Sequence, residues 1–170
     1  MELKNYIREI KDYPKEGILF RDITTLLKDK DAFKFAIDSM ANQVYDKKID
    51  LVVGAESRGF LIGSALAYRL NVGFIPVRKK GKLPYKTISE EYALEYGTDT
   101  LYMHEDSIVN GQNVLIVDDL IATGGTASAM IKMVERLGGN VVGTSFLIEL
   151  SDLDGKKEID KYPINVLIKY

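Results

Sequence analysis

The chain has 170 residues, of which 46% are hydrophobic and 28% are charged, proportions ordinary for a globular protein with one sizeable core. Its 23 basic and 25 acidic side chains give a formal net charge of −2, so no global positive field predicts nucleic-acid binding. The lack of cysteine excludes disulfides and thiolate metal sites. We predict a cytoplasmic protein, because the apolar runs are too short to cross a bilayer and the N-terminus has no signal-peptide pattern.

The hydrophobic pattern predicts helices and strands that alternate along the chain. The expected elements, in order, are a helix over 3–11, a helix over 31–46, a strand over 49–54, a helix over 57–70, a strand over 72–78, a strand over 113–117, a helix over 126–137, a strand over 140–150 and a strand over 164–168. This alternation predicts right-handed crossovers and one α/β domain, residues 1–170, with a mostly parallel twisted sheet flanked by helices. The tail after Ser151 shows no functional motif.

Two early segments contain residues suited to ligand binding. Residues 14–24 carry the apolar triplet 18–20, which could form a flat apolar slot or only plug the core. Residues 54–60 follow a buried strand and open a helix, so backbone N–H groups and Arg58 could bind an anion there. The alternative for the second segment is a helix cap at Ser57 beside a surface arginine.

Residues 79–105 fit the alternating pattern poorly, because they are polar, rich in tyrosine and interrupted by glycine. Long excursions of this kind tend to be lids or binding loops. The excursion begins in a cationic run, 78–84, which is either a solvated turn or a counter-charge for a bound anion. Within 91–97, Glu and Tyr recur with a period near four, which is typical of a helix face or of a lid that carries a carboxylate and a phenol.

The most informative run is 114–126. Its first four residues are apolar and predict a strand buried on both faces. Two adjacent acids, Asp118 and Asp119, are expected to end the strand. A glycine pair follows, and a helix is predicted after it. Such a turn can hold a phosphate on free backbone N–H groups. The acids would repel that phosphate, so we expect them to accept hydrogen bonds from sugar hydroxyls or to help hold Mg²⁺. The alternative is a strand end with acids that cap the helix.

This run closely resembles the motif with which type I phosphoribosyltransferases bind 5-phosphoribosyl-1-diphosphate (PRPP). The chain has neither a G-x-x-x-x-G-K-[ST] nor a G-x-G-x-x-G pattern, which would indicate other nucleotide folds. Four further segments are similar in amino-acid sequence and in order to those of the adenine-using members of that family, namely 14–24, 56–60, 78–84 and 91–97. The resemblance implies a type I phosphoribosyltransferase fold with a small N-terminal hood, about residues 1–28, and a flexible lid, about residues 79–105.

The resemblance also implies a role for individual residues. For PRPP these are Asp118 and Asp119 at the ribose hydroxyls, Ala122, Thr123, Gly124, Gly125 and Thr126 around the 5′-phosphate, and Ser57, Arg58, Arg78 and Lys82 at the diphosphate, with Tyr96 as a closing or diphosphate contact. For adenine these are Phe20 and Leu120 as plates on the two faces of the ring, with Leu19 and Arg21 at its edge, largely through main chain. Glu95 is the implied catalytic acid/base, and a non-proline cis peptide is expected between Ser57 and Arg58.

The implied reaction is transfer of the 5-phosphoribosyl group from PRPP to adenine, which gives AMP and diphosphate in purine salvage. The implied cofactor is Mg²⁺, held mainly through PRPP, and the implied assembly is a homodimer without nucleic-acid or membrane partners. Two other functions remain open at this point. One is the same transfer to another base, such as xanthine or guanine, and the other is a regulator that senses PRPP without turnover.

Overall fold

The computed structural model describes residues 1–93 and 97–170. Within these ranges the elements are β1 (Arg8–Lys11), β2 (Leu19–Asp22), α1 (Thr24–Lys28), α2 (Lys30–Asn42), β3 (Leu51–Ala55), α3 (Arg58–Leu70), β4 (Gly73–Val77), β5 (Thr87–Ala93), β6 (Thr98–His104), β7 (Asn113–Ile121), α4 (Gly125–Arg136), β8 (Asn140–Glu149) and β9 (Ile164–Lys169), with short 3₁₀ helices at Leu3–Tyr6, Ser151–Leu153 and Gly155–Ile159. No helix in the described part of the chain is long and apolar enough to cross a membrane.

A central sheet organises the described residues. Its strand order is β4-β3-β7-β8-β9, and each neighbouring pair is parallel. Helices cover both faces, which is why the inner strands are continuous apolar runs rather than alternating ones. The predicted mostly parallel α/β sheet is confirmed, and β7 is its middle strand, so the end of β7 lies at the middle of the carboxyl edge of the sheet.

Strand β7 divides the core because successive side chains point to opposite faces of a sheet. Leu115 and Val117 pack on one face with residues from α2 and α3. Ile116 packs on the other face with Met130 and Met133 of α4. The strand is thereby fixed from both sides, and so is the position of the acids at its carboxyl end.

The structure corrects one predicted helix and the predicted end of one strand. The helix expected over 3–11 is a 3₁₀ helix of four residues followed by strand β1, which pairs antiparallel with β2 in the register Ile10↔Phe20. Strand β7 does not stop at the acids but continues to Ile121, because β8 pairs with it as far as Ile121↔Glu149. In both cases a partner strand outside the segment itself supplies hydrogen bonds that the periodicity of the segment does not reveal.

The excursion contains an antiparallel strand pair, β5–β6, with the register Tyr92↔Asp99. Residues 91–93 are therefore strand and not the helix face that their spacing allowed. The pair is attached to the body of the protein by α4, where Arg136 donates a hydrogen bond of 2.5 Å to the carbonyl of Ser89 and lies 3.3 Å from Glu90. It also contacts the end of β4 through a bridge between Arg78 and Tyr102.

Candidate active site

A cavity of about 410 Å³ opens at the carboxyl ends of β3 and β7. In open α/β sheets this edge is where ligands bind, since the turns there present backbone groups and helix N-termini. Both strand-to-helix connections reach it: residues 55–58 run from the end of β3 to the start of α3, and residues 118–127 run from the end of β7 into α4. The structure thus brings together two segments that lie sixty residues apart in sequence.

The turn after β7 includes the 122–126 loop, all five residues of which line the cavity. Gly124 has φ 84, a left-handed conformation that favours glycine, and α4 begins at the next residue. The first N–H groups of a helix have no partner within that helix. A five-residue turn at the start of a twelve-residue helix is therefore a site suited to a phosphate group.

Asp118 and Asp119 form an acid pair at the rim of this turn. Asp118 Oδ1 accepts a hydrogen bond of 2.9 Å from the backbone N–H of Asp119. A Cβ at Gly59 would lie 2.6 Å from the same Oδ1, so a glycine at the start of α3 is what allows this carboxylate to fit. Asp119 is 5% exposed, and its Oδ2 lies 2.9 Å from Nε of Arg58.

The electrostatics of the acid pair favour its neutral forms. Burial raises the pKa of Asp118 well above the ordinary value, and the nearby charge of Asp119 raises it further. Burial also raises the pKa of Asp119, although the Arg58 guanidinium works in the opposite direction. A cation or several hydroxyl donors brought in by a ligand would stabilise the ionised pair.

Arg58 connects the acid pair to the N-terminal hairpin. While its Nε lies against Asp119, its guanidinium carbon is 4.9 Å from the ring centre of Phe20. Ser57 precedes α3 and lines the cavity, but its side chain makes no capping hydrogen bond. The predicted cis peptide is one residue out of place, since the non-proline cis bond joins Glu56 to Ser57.

The cationic run is held beside the cavity by Glu56. This carboxylate accepts a hydrogen bond of 2.5 Å from the backbone N–H of Lys79, and its Oε1 lies 3.4 Å from Nε of Arg78. Although burial acts to raise it, the pKa of Glu56 is lowered by that N–H bond and by the positive charge of Arg78. Lys79 lines the cavity, while Arg78 donates to the carbonyl of Lys82, 3.3 Å away, and the Lys82 side chain is exposed.

Sequence reasoning missed a network around Lys79. Its Nζ donates to the Tyr92 hydroxyl at 2.7 Å and forms an ion pair with Asp99. The Tyr92 ring packs against Gly125, where a Cβ would lie 3.2 Å from the ring. The cationic run, the β5–β6 pair and the 122–126 loop are therefore joined at one point, a relation that depends on strand register and has no local signal in the sequence.

The N-terminal hairpin places Phe20 near the acid pair and turns Arg21 away from it. The Phe20 ring packs edge-on against Tyr13 with centroids 5.1 Å apart. Arg21 forms an ion pair with Glu9, and its guanidinium carbon lies 3.8 Å from the ring centre of Tyr170. The Arg21 side chain is therefore engaged within the protein, and the predicted main-chain contact of Arg21 with a base stays a prediction.

Of the remaining predicted residues, Leu120 lines the cavity and Leu19 is an exposed residue of β2. The predicted catalytic Glu95 and the predicted diphosphate contact Tyr96 lie outside the described residues. Gly155, which sequence reasoning did not single out, packs directly behind the 122–126 loop. No local pattern marks it, because the loop it contacts is about thirty residues earlier in the chain.

Comparison with known proteins agrees with this geometry. Residues 24–169 match the model of the phosphoribosyl transferase domain family. The adenine phosphoribosyltransferase of Brachyspira hyodysenteriae is 80% identical over 100% of both chains, and that of Thermotoga sp. strain RQ2 is 58% identical over the same span. The crystal structure of adenine phosphoribosyltransferase from Thermoanaerobacter pseudethanolicus is 56% identical, with a TM-score of 0.97 over 99% of this chain and 98% of that one.

A more distant structure carries ligands. The adenine phosphoribosyltransferase of Saccharomyces cerevisiae, 41% identical with a TM-score of 0.91 over 98% of this chain and 96% of that one, was solved with an imino-altritol bisphosphate and adenine. The fold, the placement of the acid pair beside the 122–126 loop, and full-length identities well above 50% all agree. The chain therefore belongs to the phosphoribosyl transferase family and, within it, to the adenine phosphoribosyltransferases.

Proposed function

We propose that this chain transfers the 5-phosphoribosyl group of PRPP to adenine, forming AMP and diphosphate, with the cavity at the ends of β3 and β7 as its active site. The observation that carries this assignment is the convergence on one cavity of the acid pair, the 122–126 loop and the Ser57–Arg58 turn. A sugar that bears phosphates at both ends requires such an arrangement, with acceptors in the middle and anion sites on either side.

In this proposal the 122–126 loop binds the 5′-phosphate at the N-terminus of α4, and Asp118 and Asp119 accept hydrogen bonds from the ribose hydroxyls. The diphosphate is bound by Ser57, Arg58, Arg78, Lys82 and Tyr96. Because these contacts fix both ends of PRPP, the ribose C1 is held in one orientation toward the base, which lowers the entropic part of the barrier.

Mg²⁺ is the proposed cofactor, held mainly through PRPP. Carboxylate oxygens are ligands that Mg²⁺ accepts, and such ions are commonly bound by one or two carboxylates with the remaining ligands from substrate phosphates and water. Asp118 and Asp119 fit this role, since their pKa values are raised by burial and a cation would stabilise their charge. When bound, the metal supplies positive charge to the departing diphosphate.

Adenine is proposed to lie between Phe20 and Leu120. The Phe20 ring provides a flat face, and Leu120 lies just past the acid pair at the cavity wall. Leu19 and Arg21 recognise the base edge through main-chain groups, which is compatible with the Arg21 side chain being engaged by Glu9 and Tyr170. A hydrogen-bonding edge of this kind discriminates strongly between bases.

The chemistry breaks the bond from C1 to the diphosphate oxygen and forms a bond from C1 to N9 of adenine. Positive charge develops on the ribose as the diphosphate leaves with the bonding electron pair. The carboxylates of the acid pair favour that charge, and the cations near the diphosphate stabilise the leaving group. The proton on N9 must be removed, and Glu95 is the proposed group that accepts it.

We further propose one domain over residues 1–170, with a hood at about residues 1–28 and a lid at about residues 79–105.

A homodimer is proposed because Leu61, Ala65 and Tyr68 form an apolar stripe on α3, with Leu61 49% and Tyr68 89% exposed. A chain without cysteine suits the reducing cytoplasm, which is the proposed location.

The direct test is to mix the purified protein with PRPP, Mg²⁺ and either adenine, guanine or xanthine, and to follow nucleotide and diphosphate formation by chromatography. We expect AMP and equimolar diphosphate from adenine alone. Asp119→Asn serves as the matched control for the site and should lower the rate at least about tenfold, because a charged acceptor for ribose is lost. Equal turnover of guanine would assign a different base, and PRPP binding without diphosphate release would indicate a regulator.

A further inference from the structure

Behind the 122–126 loop lies a segment for which the sequence suggested no role. The tail segment, residues 151–162, follows β8 and includes the 3₁₀ helix Gly155–Ile159. Gly155 is buried, and a Cβ on it would lie 2.8 Å from the carbonyl carbon of Ala122 and 2.9 Å from the amide nitrogen of Gly124. Two stretches of main chain are therefore packed against each other with no room for a side chain.

The packing is reciprocal. A Cβ on Gly124 would lie 3.1 Å from the carbonyl carbon of Gly155 and 3.0 Å from the Cβ of Glu158. The 122–126 loop thus has the cavity on one side and the tail segment on the other. Gly124 adopts its left-handed conformation without strain, and on this side the backbone of Gly124 is in direct contact with Gly155.

The tail segment is itself attached at two points. Nζ of Lys156 lies 2.7 Å from Oε2 of Glu149, the last residue of β8. The Tyr162 hydroxyl donates a hydrogen bond of 2.5 Å to Glu135 of α4, the helix that begins at the loop. This hydrogen bond and the negative charge of Glu135 raise the pKa of Tyr162 to about 12. Between these points Ile159 is 1% exposed in the core beneath α4.

We propose that Gly155 is a positioning residue that holds the 122–126 loop in the conformation that binds the 5′-phosphate. The inference deepens the proposed function and rests on it. The tail segment provides a fixed surface behind the loop, so that backbone N–H groups of the loop are set before the substrate arrives. Preorganised donors of this kind bind an anion without the loss of free energy that ordering a loop would require.

The test compares Gly155→Ala with Gly143→Ala, a matched substitution at a buried glycine of β8 where a Cβ would find its nearest neighbour at 3.4 Å. Dissociation constants are measured for PRPP, AMP, diphosphate and adenine. PRPP and AMP carry the 5′-phosphate, and the other two ligands do not. We expect Gly155→Ala to weaken PRPP and AMP at least about tenfold with little change for diphosphate or adenine, and Gly143→Ala to leave all four unchanged.

A second variant, Lys156→Met, loosens the attachment to Glu149 without placing an atom against the loop. Lys156→Met should weaken the binding of PRPP and AMP about threefold. If Gly155→Ala fails to fold, the result for Lys156→Met alone decides whether the inference holds. Equal weakening of all four ligands, or wild-type binding of PRPP by both variants, would overturn the inference. A third variant, Thr126→Val, alters the loop itself and separates the two proposals. If Thr126→Val also binds PRPP normally, the proposed phosphate site is wrong. If only Thr126→Val loses affinity for PRPP, the phosphate site stands and the role of Gly155 is wrong.

Discussion

At the scale of single residues, the acid pair shows that residues placed to bind a ligand can lower the stability of the folded protein. Asp118 lies at the end of a strand buried on both faces, against the glycine that begins α3. Burial and the neighbouring Asp119 raise its pKa. A carboxyl group that is harder to ionise in the folded than in the unfolded protein lowers stability once the pH exceeds its ordinary pKa.

Asp118→Asn should therefore stabilise the free protein at neutral pH. In the wild type, the contribution of Asp118 is fully present below the ordinary pKa of an aspartate and is lost as pH rises through its raised, folded-state pKa. The variant lacks this loss, so its free energy of unfolding should match the wild type near pH 4 and exceed it by on the order of 1 kcal/mol at pH 8. Urea denaturation across that pH range measures the difference.

Asp22→Asn is the control of opposite sign. The backbone N–H of Thr24 donates a hydrogen bond of 2.9 Å to Asp22, and this bond is the main reason that its pKa is lowered. The stabilisation from Asp22 is present above its ordinary pKa and is lost as pH falls, so its removal should lower stability at neutral pH. If Asp118→Asn also lowers stability at pH 8, the interpretation of the acid pair as a strained site is incorrect.

At the scale of elements, the predictable parts are those whose signal is local. Strand β7, the turn and α4 follow one another within about twenty-five residues, and the pattern of apolar residues, acids and glycines predicts their order and type, although β7 extends past the predicted end at 117. The helical spacing of Leu3, Tyr6, Ile7 and Ile10 predicts a helix over a stretch that in the structure includes strand β1. Its actual partner is β2, and the pairing of Glu9 with Arg21 across the strands is not visible in a helical periodicity.

The same reasoning explains what was missed in the site. Lys79 was one of four cations in a run, and only the register Tyr92↔Asp99 shows that it is the one paired across β5–β6. Gly155 contacts a loop that precedes it by three elements. Residue types at a turn can be inferred from sequence, whereas contacts that depend on strand register or on the packing of a distant tail cannot.

The Lys79–Asp99 ion pair should hold β5–β6 to the cavity wall. Asp99→Asn removes that charge pair and should speed amide hydrogen exchange in the β5–β6 strands about two- to fivefold, because partly exposed pairs contribute less than about 1 kcal/mol. Exchange in the central sheet should not change. The control is Glu105→Gln, whose partner Lys86 is 4.0 Å away with both side chains well exposed. Equal acceleration in both variants would mean that the Lys79 network does not anchor the strands.

At the scale of the whole molecule, the exposed apolar surface on α3 is the feature that a single chain does not explain. Leu61 and Tyr68 lie seven residues apart on one side of the helix, with Ala65 between them. A stripe of this kind is what an interface between two copies requires. The homodimer remains a proposal, and the stripe gives it a location.

Leu61→Asp should convert the proposed dimer into a monomer, because a charge within an apolar interface would be buried without a partner. Sedimentation velocity of the wild type and the variant measures the change in mass. Tyr45→Asp is the control, since Tyr45 is 83% exposed but follows α2 and is not part of α3. A monomeric wild type, or loss of the dimer in the Tyr45 variant as well, would contradict the proposed location.

The position of Arg58 has a consequence for how the two substrates influence each other. One guanidinium faces Asp119 on one side and the aromatic ring of Phe20 on the other. Whichever ligand displaces it from one neighbour alters the energy of its contact with the second. Thermodynamic reciprocity then requires that the sugar donor change the affinity for the nucleobase by the same factor as the nucleobase changes the affinity for the sugar donor. We therefore expect any coupling between the two substrate sites to depend on the Arg58 side chain.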